Sequence, residues 1–532
     1  MYYKNTDIEY NGCSGRGMCS IAPNISSFQE VMITVLRIIA YYIIKLEQIK
    51  IDCTDVKQNL IESLSNLITS TVYTDEQLLD LIVKNYGRLL NLKHSYIAAC
   101  KKENIPAKNP KIPFTLKSDT GLSSILGAGQ RMINDKNKGL NTELKCYSEL
   151  LLVVIKSVSL SLVKLFDYEI FEPSAQNLII EALNLYNSGR ISIPKYKNYI
   201  AKLADIDSQL WMTRKSAQLK TFGKISQTDV SFSASKGKAI LVSGSSLVDL
   251  YSLLESAQGE NVDIYTHGDL LIAHAFEKFK KFKNLKGHFG STGDDCVLDF
   301  AIFPGPVVLT RHSSQNIEYL IRGRLFTTES PAPKGVTLIK DNDFSGVFKA
   351  AYKAKGFSKG KNKPRVTVGY NSDELLKKID SLSKKLKSKK IKNLLLFGIS
   401  NYSKEQAEYF DKLLSTAPDD TFVISFSYKN NSKNLIHINI ANNFPQQLAV
   451  LEMLFEKISL KNNKLVIFLT KCDTNTLSIM INLKQQGAKN MYLSTCPPTI
   501  INPAVMKTFM NLYSIKAMSP DPQADIAALK SK

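Results

Sequence analysis

At 532 residues the chain is too long for one ordinary domain and suits about three or four packed units. Apolar residues make up 44% and charged residues 22%, which excludes a disordered or low-complexity chain, and eight cysteines are too sparse for a secreted disulfide scaffold. The formal net charge of +21 favours anionic partners: nucleic acid, an anionic surface or an acidic protein.

The start "MYYKNTDIEY" lacks the basic-then-apolar pattern of a signal peptide, so a cytoplasmic protein is expected. Next comes "GCSGRGMCS", where Cys13 and Cys19 flank two glycines and supply half of a tetrathiolate shell. Residues 22 to 226 carry apolar side chains at three-four spacing, as in "LLDLIVKNYGRLLNLKHSYIAACKK", which predicts an all-helical bundle domain. Its breaks fall at "NIPAKNPKIP" (104 to 113) and "NSGRISIP" (187 to 194). The apolar windows 31 to 46 and 150 to 166 are interrupted by Arg37 and by Lys156 and Lys164, so buried helices are expected in place of membrane spans, which need about 18 apolar residues.

From residue 227 the rhythm changes to strand, helix, strand. "KAILVSGS", "NVDIYTHG" and "FPGPVVLT" read as strands of a first α/β domain ending near 360, with "LVDLYSLLESAQ" and "DLLIAHAFEKFKKF" as helices. A second α/β domain, 361 to 532, is expected from "RVTVGY", "IKNLLLFGIS", "TFVISFS", "NKLVIFLT" and "AKNMYLS", with its last helix at 474 to 487. The fold class is multidomain α + α/β: helical bundles, then two domains with mostly parallel, Rossmann-like sheets. Ligands in such sheets gather past the strand carboxyl ends, which hold His267, Asp269, Arg311, His312, Ser313, Tyr428, Cys472 and Asp473. Between residues 375 and 393, Lys377, Lys378, Lys384, Lys385, Lys387, Lys389 and Lys390 alternate with apolar residues, as on a solvated helix face that would form a basic surface.

The motifs "ILVSG", "YTHG" followed by an acid, "FPGP", "GRLFTT", a basic linker, "VGY" and "GAKNM" resemble, in order and spacing, the hybrid-cluster (prismane or hydroxylamine reductase) family, itself distantly similar to nickel carbon monoxide dehydrogenases. The resemblance covers essentially the whole chain. It implies a helical domain and two α/β domains, an N-terminal iron–sulfur cluster, a hybrid iron, sulfur and oxygen cluster, and reduction of hydroxylamine or nitric oxide. Family members carry a Cys-x-x-Cys pair ahead of the one matched by Cys13 and Cys19, where this chain has Tyr3 and Thr6. At the family's hybrid-cluster positions this chain has Ser245 for a histidine, Asp269 and Asp473 for glutamates, Ser313, Ile399, Tyr428 and Asn443 for cysteines, and Asn475 for a lysine.

Iron–sulfur clusters are held by thiolates, and those substitutions lack them. The expectation is therefore a degenerate member with no cofactor, a redox-inactive scaffold or interaction protein with an unknown protein partner or self-association and no membrane insertion. A first alternative keeps hydroxylamine or nitric oxide reductase-like chemistry on a remodelled metal site, with His267, Asp269, His312, Cys472 and Asp473 holding mononuclear zinc or iron, or with a cluster remnant at Cys13 and Cys19. A second alternative is binding of an acidic partner or nucleic acid by the basic surface. Asp269 also reads as a cap for the helix at "LLIAHAF", and His274 as a packed or hydrogen-bonded histidine.

Overall fold

The structure is a computed structural model, and it describes residues 23–69, 73–116, 120–137, 142–187, 191–290, 296–311, 319–360, 362–399, 404–426, 433–441, 443–470, 474–494 and 503–530. Seven helices come first: α1 (Pro23–Gln48), α2 (Thr54–Thr69), α3 (Asp75–Lys102), α4 (Leu122–Asn137), α5 (Thr142–Phe166), α6 (Pro173–Leu185) and α7 (Ile193–Phe222). Strand and helix then alternate: β1 (Thr228–Ser231), β2 (Ala239–Ser243), α8 (Leu247–Ser256), β3 (Asp263–His267), β4 (Leu285–His288), α9 (Cys296–Ile302), β5 (Val307–Leu309), β6 (Leu325–Thr327), β7 (Thr337–Leu338) and α10 (Ser345–Lys353). The rest is β8 (Arg365–Val368), α11 (Ser372–Lys387), β9 (Asn393–Ile399), α12 (Lys404–Thr416), β10 (Thr421–Ser425), β11 (Leu435–His437), α13 (Phe444–Lys457), β12 (Leu465–Leu469), α14 (Thr474–Gln485), β13 (Asn490–Leu493), α15 (Pro503–Leu512), β14 (Lys516–Ala517) and α16 (Pro522–Lys530).

Two compact units result, one formed by Met1–Leu210, Asp473–Asn482 and Cys496–Tyr513, the other by Trp211–Cys472, Leu483–Thr495 and Ser514–Lys532. In the helical unit α1 packs against α3, α4 and α6, and α5 against α2, α6 and α15. Helix α1 is long and apolar enough to cross a membrane, but most of it is buried in protein. The half-buried Arg37 that interrupts it donates from Nη2 to the Tyr186 carbonyl at 2.8 Å, with its guanidinium over the Tyr186 ring at 4.8 Å. Helix α3 starts in a reciprocal cap: the Gln77 N–H donates to Thr74 Oγ1 at 3.3 Å and the Thr74 N–H to Gln77 Oε1 at 3.0 Å. A buried carboxylate joins α5 to α7, the hydroxyls of Ser157 and Ser161 donating to Asp207 at 2.7 and 2.5 Å.

The second unit holds two six-stranded sheets, ordered β4-β3-β2-β5-β6-β7 and β11-β10-β9-β12-β13-β14, with every pairing parallel. Both have the doubly wound order, in which direction reverses between the first and fourth strands, here between β2 and β5 and between β9 and β12. The central strands are covered on both faces, which is why "AILVS" and "LVIFL" read as unbroken apolar runs. Aromatic side chains fill the second core, Phe397 stacking on Phe410 at 4.1 Å between centroids and edge-on to Phe468 at 5.3 Å.

Four sequence expectations need correction. "DLLIAHAFEKFKKF" forms two short 3-10 turns, Gly268–Ala275 and Glu277–Lys281, because Phe276 takes an extended conformation to bridge Ile225. Strand β8 joins neither parallel sheet and pairs antiparallel with β1. The helix at 474 to 485 is not the last, since α15 and α16 follow. The lysine-rich face is shorter than its charge pattern: Lys377, Lys378, Lys384, Lys385 and Lys387 stand exposed on α11, opposite the buried Leu375, Ile379, Leu382 and Leu386, but the helix stops at Lys387. Lys389, at φ +60°, breaks the helical path, so Lys389 and Lys390 lie in the turn leading to β9.

Close helix crossing sets a testable limit. A Cβ at Gly129 of α4 would lie 2.2 Å from the Ser27 carbonyl of α1, whereas one at Gly87 of α3 meets nothing within 4 Å. Gly129→Ala should destabilise by about 1–3 kcal/mol, and Gly87→Ala should stabilise by roughly 0.5–1 kcal/mol, in urea denaturation. Equal shifts for the two variants would contradict the packing.

Candidate functional site

The carboxyl end of the first sheet is where the doubly wound topology would receive a ligand. Strand β2 runs out through Ser243 into Gly244, whose φ of +129° suits glycine, and then Ser245 and Ser246. The backbone N–H groups of Ser245 and Ser246 donate to Thr310 Oγ1, just past β5, at 3.0 and 3.2 Å. Protein hydrogen bonds thus span the crevice between β2 and β5. Ser246 caps α8 by accepting from the Asp249 N–H at 3.3 Å.

Asp249, buried in the first turn of α8, draws the next residue inward. Its carboxylate accepts from Arg311 Nε at 2.9 Å, Arg311 Nη2 at 2.5 Å, the Arg311 backbone N–H at 2.9 Å and Thr328 Oγ1 at 2.7 Å. Two guanidinium N–H groups on Oδ1, with the backbone N–H and the Thr328 hydroxyl on Oδ2, make a charge-assisted, oriented pair. Arg311, at a strand tip, is thereby held on the protein's own anion.

Beside it lies a histidine layer. His267, at the end of β3, has Nδ1 at 2.8 Å from Ser243 Oγ and Nε2 at 3.3 Å from Asp299 Oδ2. Thr266 Oγ1 sits between His274 Nε2 at 3.0 Å and His288 Nδ1 at 2.9 Å. His267 and His288 stack nearly parallel, with centroids 6.2 Å apart. Gly290, at φ +87°, closes the layer, since a Cβ there would fall 2.3 Å from Asp299 Oδ2. Burial lowers the His274 pKa to about 4, and burial together with His267 and His274 pushes that of His288 well below the ordinary histidine value.

The sequence-predicted positions are distributed as follows. Ser243 and His267 are register partners, so Ser245 and Asp269, each two residues further on, stand at adjacent strand tips. The Ser245 hydroxyl is buried with no hydrogen-bond partner among the described residues. Asp269 does not cap an α-helix: it lies within the first 3-10 turn, whose capping position is His267. Ile399 is the last residue of β9, after Gly398 at φ +80°. Asn443 caps α13, its Oδ1 accepting from the Gln446 N–H at 3.2 Å. Cys13, Cys19, His312, Ser313, Tyr428, Cys472 and Asp473 lie outside the described residues. His274 is hydrogen-bonded and packed. Lys377, Lys378, Lys384 and the other lysines of the basic run belong to α11 and the turn after it, elements of the second sheet, and contribute nothing to this crevice. Sequence reading placed Thr266 and Arg311 among the strand tips and missed His288, Asp299 and Asp249, the partner of Arg311. Only "KGHF" hinted at His288, and Asp299 reaches His267 across 32 residues of chain.

This arrangement offers little to a metal cluster. Both His267 nitrogens have protein partners, Asn443 is engaged in a cap, isoleucine at 399 has no donor atom, and Ser245 brings a neutral hydroxyl. Among the described residues, no three His, Cys, Asp or Glu side chains are placed to hold a metal ion. Among the described residues, Ser245, Asp269, Ile399 and Asn443 supply none of the soft thiolates that the hybrid cluster implied by the resemblance calls for.

A model of the Prismane/CO dehydrogenase family matches residues 8–526. A hydroxylamine reductase of Zymomonas mobilis subsp. mobilis is 23% identical over 535 residues, spanning 97% of this chain and 96% of its own length. A hydroxylamine reductase of Methanocella arvoryzae is 22% identical over 551 residues, spanning 97% of each. Among solved structures, the chain is similar to the alpha subunit of an acetyl-CoA synthase/carbon monoxide dehydrogenase described with nickel–zinc and nickel–nickel iron–sulfur clusters. The TM-score is 0.49 at 11% identity, covering 97% of this chain and 83% of that one.

The histidine layer predicts a pH response. His274 and His288 stay neutral in the fold, while the unfolded chain binds protons near pH 6.5. The stability they confer is complete above pH 6.5 and is lost as pH falls toward about 4, at up to about 1.4 kcal/mol per pH unit for each ring. Urea midpoints at neutral and mildly acidic pH should show this loss, and His274→Gln should reduce it. An unchanged pH slope in the variant would refute the assignment.

Proposed function

Because the chain belongs to the Prismane/CO dehydrogenase family, we propose that it is a member that keeps the fold without the hybrid cluster and acts as a scaffold or interaction protein. The observation that carries the proposal is the donor chemistry at the family's ligand positions. Ser245, Asp269, Ser313, Ile399, Tyr428, Asn443 and Asp473 supply hydroxyl, amide, hydrocarbon and carboxylate groups where the resemblance calls for imidazole, thiolates and glutamates. Two of them support it locally. Asn443 has taken a structural task as a helix cap, and Ile399 ends β9 with a residue type that can ligate no metal.

The Thr310 and Asp249 contacts point the same way, because they satisfy within the protein the backbone and cationic groups that a bound anion or cofactor would otherwise engage. Redox turnover is then no part of this protein's work, in contrast to relatives named hydroxylamine reductases. The cytoplasmic setting expected from the sequence belongs to the same reading.

The direct test is anaerobic consumption of hydroxylamine by the purified full-length chain with a chemically reduced viologen dye. No rate above that of a chelator-treated control is expected. Steady turnover that chelation abolishes would overturn the proposal.

A further inference from the structure

Parallel pairing that gathers the carboxyl ends of β9, β12 and β13 at one edge gathers their amino ends at the opposite edge, and lysines stand there on successive strands. Lys392 precedes β9, Lys464 precedes β12 and Lys489 precedes β13, and the three strands are neighbours in the sheet. Their register, Leu394 with Leu465 and Val466 with Asn490, sets Lys392 one residue below and Lys489 one residue above the level of Lys464. At about 4.8 Å between strands, they form a short row.

Helix α11 ends at the same edge. Lys464 Nζ donates to the Leu386 carbonyl at 3.2 Å, tying the last turn of the helix to the start of β12. That contact brings Lys387, Lys389 and Lys390 beside the row, and Lys461 joins from the loop after α13. Lys377 and Lys378, at least two turns back along α11, are too far from the edge to belong to it. Asp420 there is already used by Lys392 at 2.8 Å, and Asp380, further back on α11, is used by Lys457 at 3.6 Å. Lys387, Lys389, Lys390, Lys461 and Lys489 are exposed and make no ion pair among the described residues, outnumbering the exposed Asp419 and Glu456.

Lysines in the last turn of a helix also complement its negative end, which accounts for Lys384 and Lys387. It does not account for Lys389, Lys390, Lys461 and Lys489, which stand outside helices. We propose that this amino edge of the second sheet binds the phosphate backbone of a duplex nucleic acid, independently of sequence. The edge is built of point charges on flexible stems without arginine forks, which suits contact with repeated phosphates more than recognition of one oriented group. Two rings of this sheet lie under lysines, Phe422 under Lys385 and Tyr492 under Lys516; they are part-buried and buried, so they offer no platform for the unstacked bases of a single strand. None of the exposed large apolar side chains belongs to α11, to β9, β12 or β13, or to the loops that carry these lysines, so the lysines surround no central anchor of a protein interface.

The surface is independent of the cluster reading, and iron content would report on that reading separately. The experiment is fluorescence anisotropy of a labelled duplex of about 25 base pairs, titrated with the full chain at salt concentrations from about 50 to 200 mM. Binding should weaken with salt at a log–log slope of about −3 to −5, near 0.9 per phosphate contacted. Lys387→Glu, Lys389→Glu and Lys390→Glu together should weaken binding at least tenfold and flatten the slope by about 2–3. The matched reversal of Lys353, Lys355 and Lys359, exposed elsewhere, should change it far less. Glutamine replacements at 387, 389 and 390, with circular dichroism confirming the fold, give the same ranking with smaller effects. No binding at low salt, equal loss from both triples, or preference for a single strand or for polyglutamate over the duplex would each overturn the proposal.

Discussion

Parallel pairing is the constraint from which the α/β unit follows. A parallel strand must return through a crossover, the crossovers cover both faces, and the strands between them have to be apolar throughout. Strands β2 and β12 meet this requirement residue by residue, all ten of their residues being buried. The same pairing sends all carboxyl ends to one edge and all amino ends to the other. Each sheet therefore has a crevice where strand order reverses and an opposite rim where helices end.

What the chain does with those edges differs sharply. At the crevice of the first sheet, polar groups turn toward one another. Thr310 accepts from the turn after β2, Asp249 holds Arg311, and Asp299 and Ser243 hold His267. Buried polar atoms are costly unless paired, and here most of the pairing is internal. At the amino rim of the second sheet the reverse holds: lysine ammonium groups stand in solvent with few counter-charges. The two edges of one parallel topology thus carry opposite chemistry: polar groups paired internally at the crevice of the first sheet, and lysines facing solvent at the amino rim of the second.

Much of this was legible before any coordinates. Helical periodicity in the first part and uninterrupted strand runs in the second are direct consequences of one-sided and two-sided burial. The side-chain chemistry at Ser245, Ile399 and Asn443 was readable too, because it depends only on which atoms those residues carry. The failures have specific physical causes. "DLLIAHAFEKFKKF" has helix-like spacing, yet Phe276 is claimed by a bridge to Ile225 that no local pattern encodes. The amide of Asn443 could be read as a replacement ligand position, but its capping role required the start of α13 to be placed. Asp299, Ser243 and Gly290 meet His267 only through tertiary packing. The lysine-rich helix was visible as a run of charge from Lys377 to Lys390, but the run did not show that Lys377 and Lys378 part company with Lys389 and Lys390, or that Lys489 joins the latter through strand register and Lys461 from the loop after α13.

The central claim is that this family member does not assemble the hybrid cluster that the resemblance implies. Iron and acid-labile sulfide analysis of protein purified without oxygen, with an absorption spectrum of the same sample, tests it most directly. The account predicts sub-stoichiometric iron, no labile sulfide and no band near 400 nm. About four or more irons per chain with matching sulfide, the content of an assembled cluster, would contradict it.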